Sequence, residues 1–178
     1  MNEDYKFSNI LKVNIDDHLA SFLMTILGSH REPVRVYRKS FIGDLLYRLI
    51  DKVPENCNYR EPVLRNKRLL QIELGWLGFR DEQRKNPYTY IYFPLSKQRE
   101  FESAIRSLFD NVFFNVIEIS HEYTDQQYKI LIDKFCERYH IDFVRHFDSL
   151  KKKHYRSRME SLETEKNLVH GCPVKKTD

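Results

Sequence analysis

The chain has 178 residues, of which 41% are hydrophobic and 31% charged, with a net charge of +4. These values suit one domain, or a compact domain with an appendage, and the few glycines and prolines argue against collagen-like repeats and long disordered stretches. No apolar stretch approaches the roughly 20 residues of a membrane-spanning helix, and the polar start MNEDYKFSNI does not resemble a secretory signal. We therefore expect a cytoplasmic protein without a membrane partner.

The first third of the chain predicts two helices separated by a short strand. In residues 14–28, apolar side chains recur at the spacing of a helix with one buried face, and Asn14 is a suitable N-cap. Residues 33–38, PVRVYR, alternate apolar and polar side chains, which is typical of a strand. Ser40 is a suitable N-cap for the second helix, FIGDLLYRLIDKV, which ends before Pro54.

Two consecutive segments further along predict a β-hairpin. Residues 69–76, LLQIELGW, and residues 88–93, YTYIYF, both favour strands. The polar segment 77–87 between them has the composition of a long hairpin tip. In front of the hairpin, Pro62 is suited to the first position of a helix and allows a short helix over residues 62–68.

Tyrosines occupy alternate positions of the second predicted strand. Tyr88, Tyr90 and Tyr92 face one side, whereas the better core residues Ile91 and Phe93 face the other. We expect later helices to cover the tyrosine rings, since phenols suit a half-buried surface. If they were exposed, the rings would instead be able to stack on unpaired bases.

After the hairpin the chain becomes mainly helical. Ser96 is a suitable N-cap for a helix over residues 97–110. The next segment, VFFNVIEI at 112–119, is rich in β-branched and aromatic residues, so it is compatible with a strand or with continuation of that helix. We predict a strand.

The last part of the chain predicts two further helices. Thr124 and Gln127 have the spacing of a capping box, which predicts a helix over residues 125–139. A break is expected near His140. A long helix then covers residues 142–166, with an interrupted apolar stripe on one face.

Together these elements predict an α+β fold that is mostly helical, with a small antiparallel β-hairpin. We divide it into an N-terminal α+β part (1–94), a helical part packed on it (95–166) and a flexible tail (167–178). In element order, the N-terminal part resembles the winged-helix variant of the helix-turn-helix, which places its third helix in a major groove and its hairpin tip against the backbone. The resemblance implies that residues 62–68 form the recognition helix and residues 77–87 the wing.

Basic residues are concentrated in the two segments that this resemblance assigns to DNA. Phosphates bind flexible cations, and Arg and Asn are the side chains that recognise guanine and adenine edges. Arg65 and Asn66 are therefore the candidate base readers. The candidate nucleic-acid-binding residues of this part are Arg65, Asn66, Lys67, Arg68, Arg80, Arg84 and Lys85. The alternative is that these are ordinary solvated charges.

The last helix carries the densest charge of the chain. Residues 145–158 contain six Lys or Arg against one Asp, so this segment carries +5 and the rest of the chain sums to −1. Such concentration favours a polyanionic partner. The candidate nucleic-acid-binding residues here are Lys151, Lys152, Lys153, Arg156 and Arg158. Because Glu160, Glu163 and Glu165 follow, antiparallel pairing with a second copy is a competing interpretation, and a solvated helix face is a third.

The sequence contains no motif that indicates an enzyme. The phosphate-binding pattern GxxxxGK[ST], the dinucleotide pattern GxGxxG and the zinc-protease pattern HExxH do not occur. Three cysteines are too few for a disulfide framework. Zinc-finger spacing is not found in the cluster formed by Cys136, His140, His146 and His154. We therefore expect no catalytic activity, no cofactor and no metal.

These observations favour a non-catalytic nucleic-acid-binding protein, with DNA as the expected partner and a regulatory or replication-associated role. The alternative is a helical adaptor or assembly protein that binds a protein partner, or a second copy of itself, through its C-terminal helices. Salt dependence separates the two hypotheses, because phosphate contacts weaken steeply with salt and a packed protein interface does not.

Overall fold

The computed structural model describes residues 10–53, 64, 66–75 and 90–170. Helices make up 65% of these residues and the strands form two small sheets, which confirms a mostly helical α+β fold. The chain divides into two compact units, Met1–Val112 and Phe113–Asp178.

The elements follow one another in this chain order. The first unit contains β1 (Ile10–Ile15), α1 (Asp17–Ile26), β2 (Val34–Val36), α2 (Phe41–Leu49), β3 (Asp51–Val53), β4 (Arg68–Leu74) and β5 (Tyr90–Tyr92). Helix α3 (Leu95–Thr124) begins in the first unit and ends in the second. The second unit also contains α4 (Tyr128–Arg138) and α5 (Phe143–His170). In the described residues, no helix combines the length and apolar character needed to cross a bilayer.

Strand β4 is the centre of a three-stranded mixed sheet. It pairs antiparallel with β1 and parallel with β2, so that Ile72 lies opposite Leu11 on one side and Val34 on the other. All three side chains are at most 2% exposed. Leu70 and Leu74, two residues before and after Ile72, are buried in the same way, so the alternating pattern specifies which face of the sheet is covered.

The predicted hairpin does not form, although both of its strands exist. β4 pairs with β1 and β2, whereas β5 pairs antiparallel with β3, with Asp51 opposite Tyr92. The hairpin prediction is wrong because no local pattern indicates β1, and β3 lies in the segment predicted as the end of the second helix. The next predicted strand in sequence is therefore not the partner of β4. The winged-helix interpretation, which needed this hairpin, is therefore not confirmed.

The first two predicted helices are present, with one capping error. Ser40 caps α2 as expected, and its Oγ accepts a hydrogen bond from the Gly43 N–H at 3.0 Å. Asn14 is not the cap of α1. It lies in β1, and Asp16 occupies the N-cap position without a side-chain hydrogen bond to the helix.

Helix α3 is continuous through the segment for which a strand was predicted. Its buried stripe recurs every four residues without interruption at Phe101, Ile105, Phe109, Phe113 and Ile117, each at most 1% exposed. The strand prediction for residues 112–119 is therefore wrong. Burial of a helical stripe outweighs the local preference of β-branched and aromatic residues for strands.

The capping box at the start of α4 is also absent. Thr124 is the last residue of α3, and its hydroxyl donates to the Ser120 carbonyl. Asp125 then turns the chain with φ 50°, and Gln127 is the N-cap of α4 without a side-chain bond. The predicted break is confirmed at His140, where φ is 53°.

The last helix continues further than predicted. It extends to His170, four residues into the segment expected to be a tail. Residues 171–178 lie outside the described part of the chain.

A buried polar cluster joins four segments of the first unit. The Gln98 side chain, 1% exposed, accepts hydrogen bonds through Oε1 from both the backbone N–H (3.0 Å) and Nδ2 (2.9 Å) of Asn14. Its Nε2 donates to the Phe93 carbonyl at 2.7 Å, and Asn14 Oδ1 accepts from the Leu64 N–H at 2.9 Å. These bonds satisfy groups whose burial would otherwise be costly.

Two acidic and two basic side chains form an ion-pair cluster beside α1. Lys67 Nζ donates to Asp16 Oδ1 at 2.7 Å and also to Glu102, while Arg106 pairs with the same two carboxylates. Burial alone would raise the pKa of Asp16, but hydrogen bonds and charge from Lys67 and Arg106 outweigh it and lower the pKa to about 2. The same carboxylates outweigh desolvation at both cations and raise the pKa of Lys67 and of Arg106.

Asp16→Asn is expected to lower the free energy of unfolding by about 1–2 kcal/mol at neutral pH, after allowance for partial exposure. A carboxyl whose pKa falls from 3.8 to about 2 on folding stabilises the folded state above its unfolded pKa, and this contribution disappears as the pH falls through about 2. Denaturant unfolding followed by circular dichroism should therefore show variant and parent converging in acid.

The control for this prediction is Asp44→Asn. Asp44 forms an ion pair with Arg48, and these side chains are 49% and 75% exposed, so we expect a change below about 0.5 kcal/mol. A loss in Asp16→Asn that stays constant down to about pH 2 would contradict a role for the Asp16 charge.

The core of the second unit is centred on Phe113. Its side chain is fully buried. Its ring makes edge-to-face contacts with the rings of Phe135 and His154, with centroids 5.0 Å and 6.5 Å apart. Ile117 of α3 and Leu150 of α5 are at most 4% exposed in the same unit. Apolar stripes on α3, α4 and α5 therefore pack together as ordinary amphipathic helices do.

Candidate nucleic-acid interface

The N-terminal candidate residues are only partly described. Arg65, Arg80, Arg84 and Lys85 lie outside the described residues. Asn66 is exposed in a turn with φ 66°. The described part of the predicted recognition helix is this turn followed by the first residue of β4, so a helix reaching residue 68 is wrong.

Lys67 and Arg68 are engaged in ion pairs within the chain. Lys67 belongs to the ion-pair cluster described above and is 24% exposed. Arg68 Nη2 donates to Glu32 Oε1 at 2.7 Å, and Nη1 lies 3.5 Å from Asp17 Oδ1. Both cations therefore have carboxylate partners within the first unit, and a contact with nucleic acid stays a prediction.

The structure does not describe the tyrosine side chains of the second predicted strand. Tyr88 and the side chains of Tyr90 and Tyr92 lie outside the described atoms. Phe93, which was expected to face inward, is 1% exposed and meets Phe101 edge to face at 5.9 Å.

The basic helix α5 forms one wall of a cavity of about 540 Å³ within the second unit, with Phe114 of α3 on the other wall. The residues that α5 contributes are Ser149, Lys152, Lys153, Arg156, Ser157 and Glu160. Their three- and four-residue spacing places them along one face of the helix. We call this site the basic cavity.

The rotation of α5 about its axis is set by its buried face. Leu150 and His154 are 4% and 6% exposed, and His154 Nε2 lies 2.7 Å from Glu118 Oε1. Since a carboxylate only accepts, the imidazole Nε2–H donates this bond. Glu118 is one helical turn beyond Phe114, and Phe114 lines the basic cavity together with Lys153, the residue before His154.

Three of the five predicted cations of α5 are brought together at the basic cavity. They are Lys152, Lys153 and Arg156. Lys152 and Arg156 are exposed, which opens the cavity to solvent, and Lys153 is half-buried. The other two cations lie over aromatic rings: Lys151 Nζ is 5.9 Å from the centre of Phe147, and the Arg158 guanidinium is 5.4 Å from that of Tyr128.

The basic cavity combines positive charge, hydroxyl groups and an aromatic ring. Three cations face one carboxylate, Glu160, at the C-terminal end of the site, so the lining has a net positive charge. The Ser149 hydroxyl donates to the His146 carbonyl at 2.8 Å, so the cations are the groups that contact phosphate oxygens. This set of groups suits a ligand with phosphates and a planar ring.

Sequence reasoning identified the cations of this site and missed its other members. Phe114 was assigned to a strand, which separated it from α5. A helical period across residues 112–119 would have placed Phe114 and Glu118 one turn apart on a helix. The two serines carry no signal of their own, since they are recognised only by their spacing from Lys152, Lys153 and Arg156 on one helix face.

The cysteine and histidine side chains considered as zinc ligands do not meet at one site in the described residues. Burial, followed by the charges of Asp133 and Asp142, raises the pKa of the Cys136 thiol to about 11. His154 is bonded to Glu118, and His140 lies at the turn between α4 and α5. In the described part of the chain, no three His, Cys, Asp or Glu side chains are arranged to hold a metal ion.

The chain was compared with protein-family models, with curated proteins and with solved structures. None of these comparisons gave a match. The basic cavity is therefore the basis on which a function is assigned.

Proposed function

We propose that this protein binds nucleic acid, with DNA as the expected partner, through the basic cavity and the adjoining face of α5. The observation that carries the proposal is the convergence of Lys152, Lys153 and Arg156 on one solvent-open surface. Cations held on a helix face neutralise successive phosphates and release their counterions, which supplies most of the affinity for a polyanion. The role is non-catalytic, in regulation or replication.

The proposal does not depend on the winged-helix interpretation. The cations of the basic cavity lie in the second unit, whereas the segments once assigned to DNA reading lie in the first. Any contribution from Arg65, Arg80, Arg84 and Lys85 would add to the phosphate contacts of α5.

A second candidate function is favoured by exposed apolar side chains on another face of α5. Val144, Tyr155 and Met159 are 91%, 65% and 41% exposed. A face of this kind suits a protein partner or a second copy of the chain. We therefore retain the adaptor or homo-oligomer as the competing hypothesis, and the salt dependence of binding distinguishes it from a nucleic-acid-binding role.

Fluorescence anisotropy with labelled duplex and single-stranded DNA across a salt series tests the proposal. The variant Lys152→Ala/Lys153→Ala/Arg156→Ala should bind more weakly at low salt. Its slope of log K against log salt should be shallower by about 2–3, because each phosphate contact contributes a slope of about 0.7–0.9. Glu160→Gln, which removes the opposing charge, should bind more tightly.

The matched control is Lys129→Ala/Lys134→Ala/Arg138→Ala. It removes the same formal charge from exposed positions of the second unit that do not line the basic cavity. Equal weakening by both triple variants would mean that only net charge matters and would contradict the assigned site. If the parent binds no oligonucleotide at low salt, the nucleic-acid proposal is wrong. Sedimentation of the parent and of Tyr155→Ser then tests the competing one.

A further inference from the structure

The basic cavity is a concave site of a size that accepts a small planar group. Its volume of about 540 Å³ lies within the ~300–1,000 Å³ typical of sites that enclose a small molecule. Along α5, its lining runs from Ser149 to Glu160, which corresponds to about 16 Å of helix. The site therefore has room for one nucleotide within it and for neighbouring phosphates along its rim.

Phe114 supplies a fixed aromatic wall. It is half-buried, and its ring meets Phe113 in an edge-to-face contact with centroids 5.5 Å apart. Phe113 is itself fully buried in the core of the unit. A ring held in this way is positioned before any ligand arrives, so stacking on it does not require a flexible side chain to be ordered.

Single-stranded and duplex nucleic acids differ in whether a base can reach an aromatic wall that lies beside cations. In a single strand the base is free to turn onto an aromatic side chain while its phosphates contact the cations, and every base has a face suited to such stacking. In a duplex the bases are stacked on one another and the phosphates line a convex surface. A duplex base reaches a concave site only after unpairing and unstacking, which costs free energy.

We infer that the basic cavity holds one unpaired base against Phe114, with the adjacent phosphates on Lys152, Lys153 and Arg156, and that the protein therefore prefers single-stranded nucleic acid to duplex. This inference rests on the proposed function and narrows its ligand. The carboxylate of Glu160 marks the end of the site from which phosphates are repelled, so the strand runs from the cation-rich part of the cavity toward Ser149.

The experiment compares single-stranded and duplex oligonucleotides on three variants of one residue. Phe114→Leu retains an apolar side chain and removes the stacking face. It should weaken binding to a labelled dT or rU 12-mer by about 5- to 100-fold while leaving duplex affinity and the salt slope unchanged. Phe114→Tyr keeps the aromatic face and should bind as the parent does. Circular dichroism establishes that each variant is folded.

A spectroscopic reading confirms the contact independently of affinity. Phe114→Trp places an indole in the wall of the basic cavity, in a chain that otherwise contains a single tryptophan. Its fluorescence should be quenched by the single-stranded 12-mer and not by the duplex, since only a stacked base contacts the indole face. The parent chain, with its own tryptophan alone, provides the control signal.

The outcomes separate this inference from the proposed function. Equal affinity for duplex and single strand, with no effect of Phe114→Leu, overturns the inference and leaves phosphate binding by α5 intact. Saturation by adenosine monophosphate, with the same dependence on Phe114, overturns it in favour of a free nucleotide as the ligand. If the parent binds no 12-mer at low salt, both proposals fall together.

Discussion

Phe113→Ala is expected to lower the free energy of unfolding of the second unit by about 3–5 kcal/mol, which is the usual cost of removing a buried phenylalanine ring. Phe113 is fully buried, and its ring contacts Phe135 at 5.0 Å and His154 at 6.5 Å. Truncation removes apolar contacts from all three helices of the unit at once and leaves a cavity among them. Hydrogen exchange measured by mass spectrometry should show the largest loss of protection in α4 and α5.

The control is Tyr123→Ala in the same helix. Tyr123 is 84% exposed, so the same loss of an aromatic ring should change stability by no more than about 0.5 kcal/mol. A cost below about 1 kcal/mol for Phe113→Ala would contradict the central position of this ring in the core.

Gln98→Met is expected to lower the stability of the first unit by about 3–4 kcal/mol, although methionine has a similar volume and forms helices well. The substitution leaves two donors of Asn14 and the carbonyl of Phe93 without the partner that Gln98 provides. Each buried polar group left without a hydrogen bond costs about 1–3 kcal/mol. Urea unfolding followed by circular dichroism measures the loss.

Two further variants separate hydrogen bonding from packing. Glu100→Met introduces the same side chain at an exposed position of α3 and should be neutral within about 0.5 kcal/mol. In a double-mutant cycle, Asn14→Leu combined with Gln98→Met should cost clearly less than the sum of the single changes, because each single variant already breaks the same bonds. Strict additivity would contradict a direct interaction between Asn14 and Gln98.

Local patterns were sufficient to predict most elements of this fold but not their pairing. Helices α1, α2, α4 and α5 follow clear apolar periodicity, and Ser40 marks the start of α2 by a chemical rule that depends only on neighbouring residues. The partner of β4 depends instead on β1, more than fifty residues earlier, and on which buried faces meet. No local pattern contains that information, so the nearest strand in sequence was the wrong choice.

The candidate site was predicted in part for a similar reason. A run of cations is visible in sequence, and three of them line the basic cavity. The aromatic wall comes from α3, more than thirty residues away, and was hidden by the strand-like composition around Phe114. In the first unit, the carboxylates that pair with Lys67 and Arg68 come from residues such as Asp16 and Glu32, so their engagement is visible only in three dimensions.

The long separation in sequence between β1 and β4 affects how their sheet forms during synthesis. Within the described residues β1 pairs with β4 alone. About 50 residues lie between the two strands, and their synthesis takes roughly 3–10 s at ~5–20 residues per second. During that interval Leu11, Val13 and Ile15 have no sheet to cover them. β1 is thus an apolar strand that leaves the ribosome well before its partner, and nascent chains of this protein should associate with chaperones until β4 has emerged.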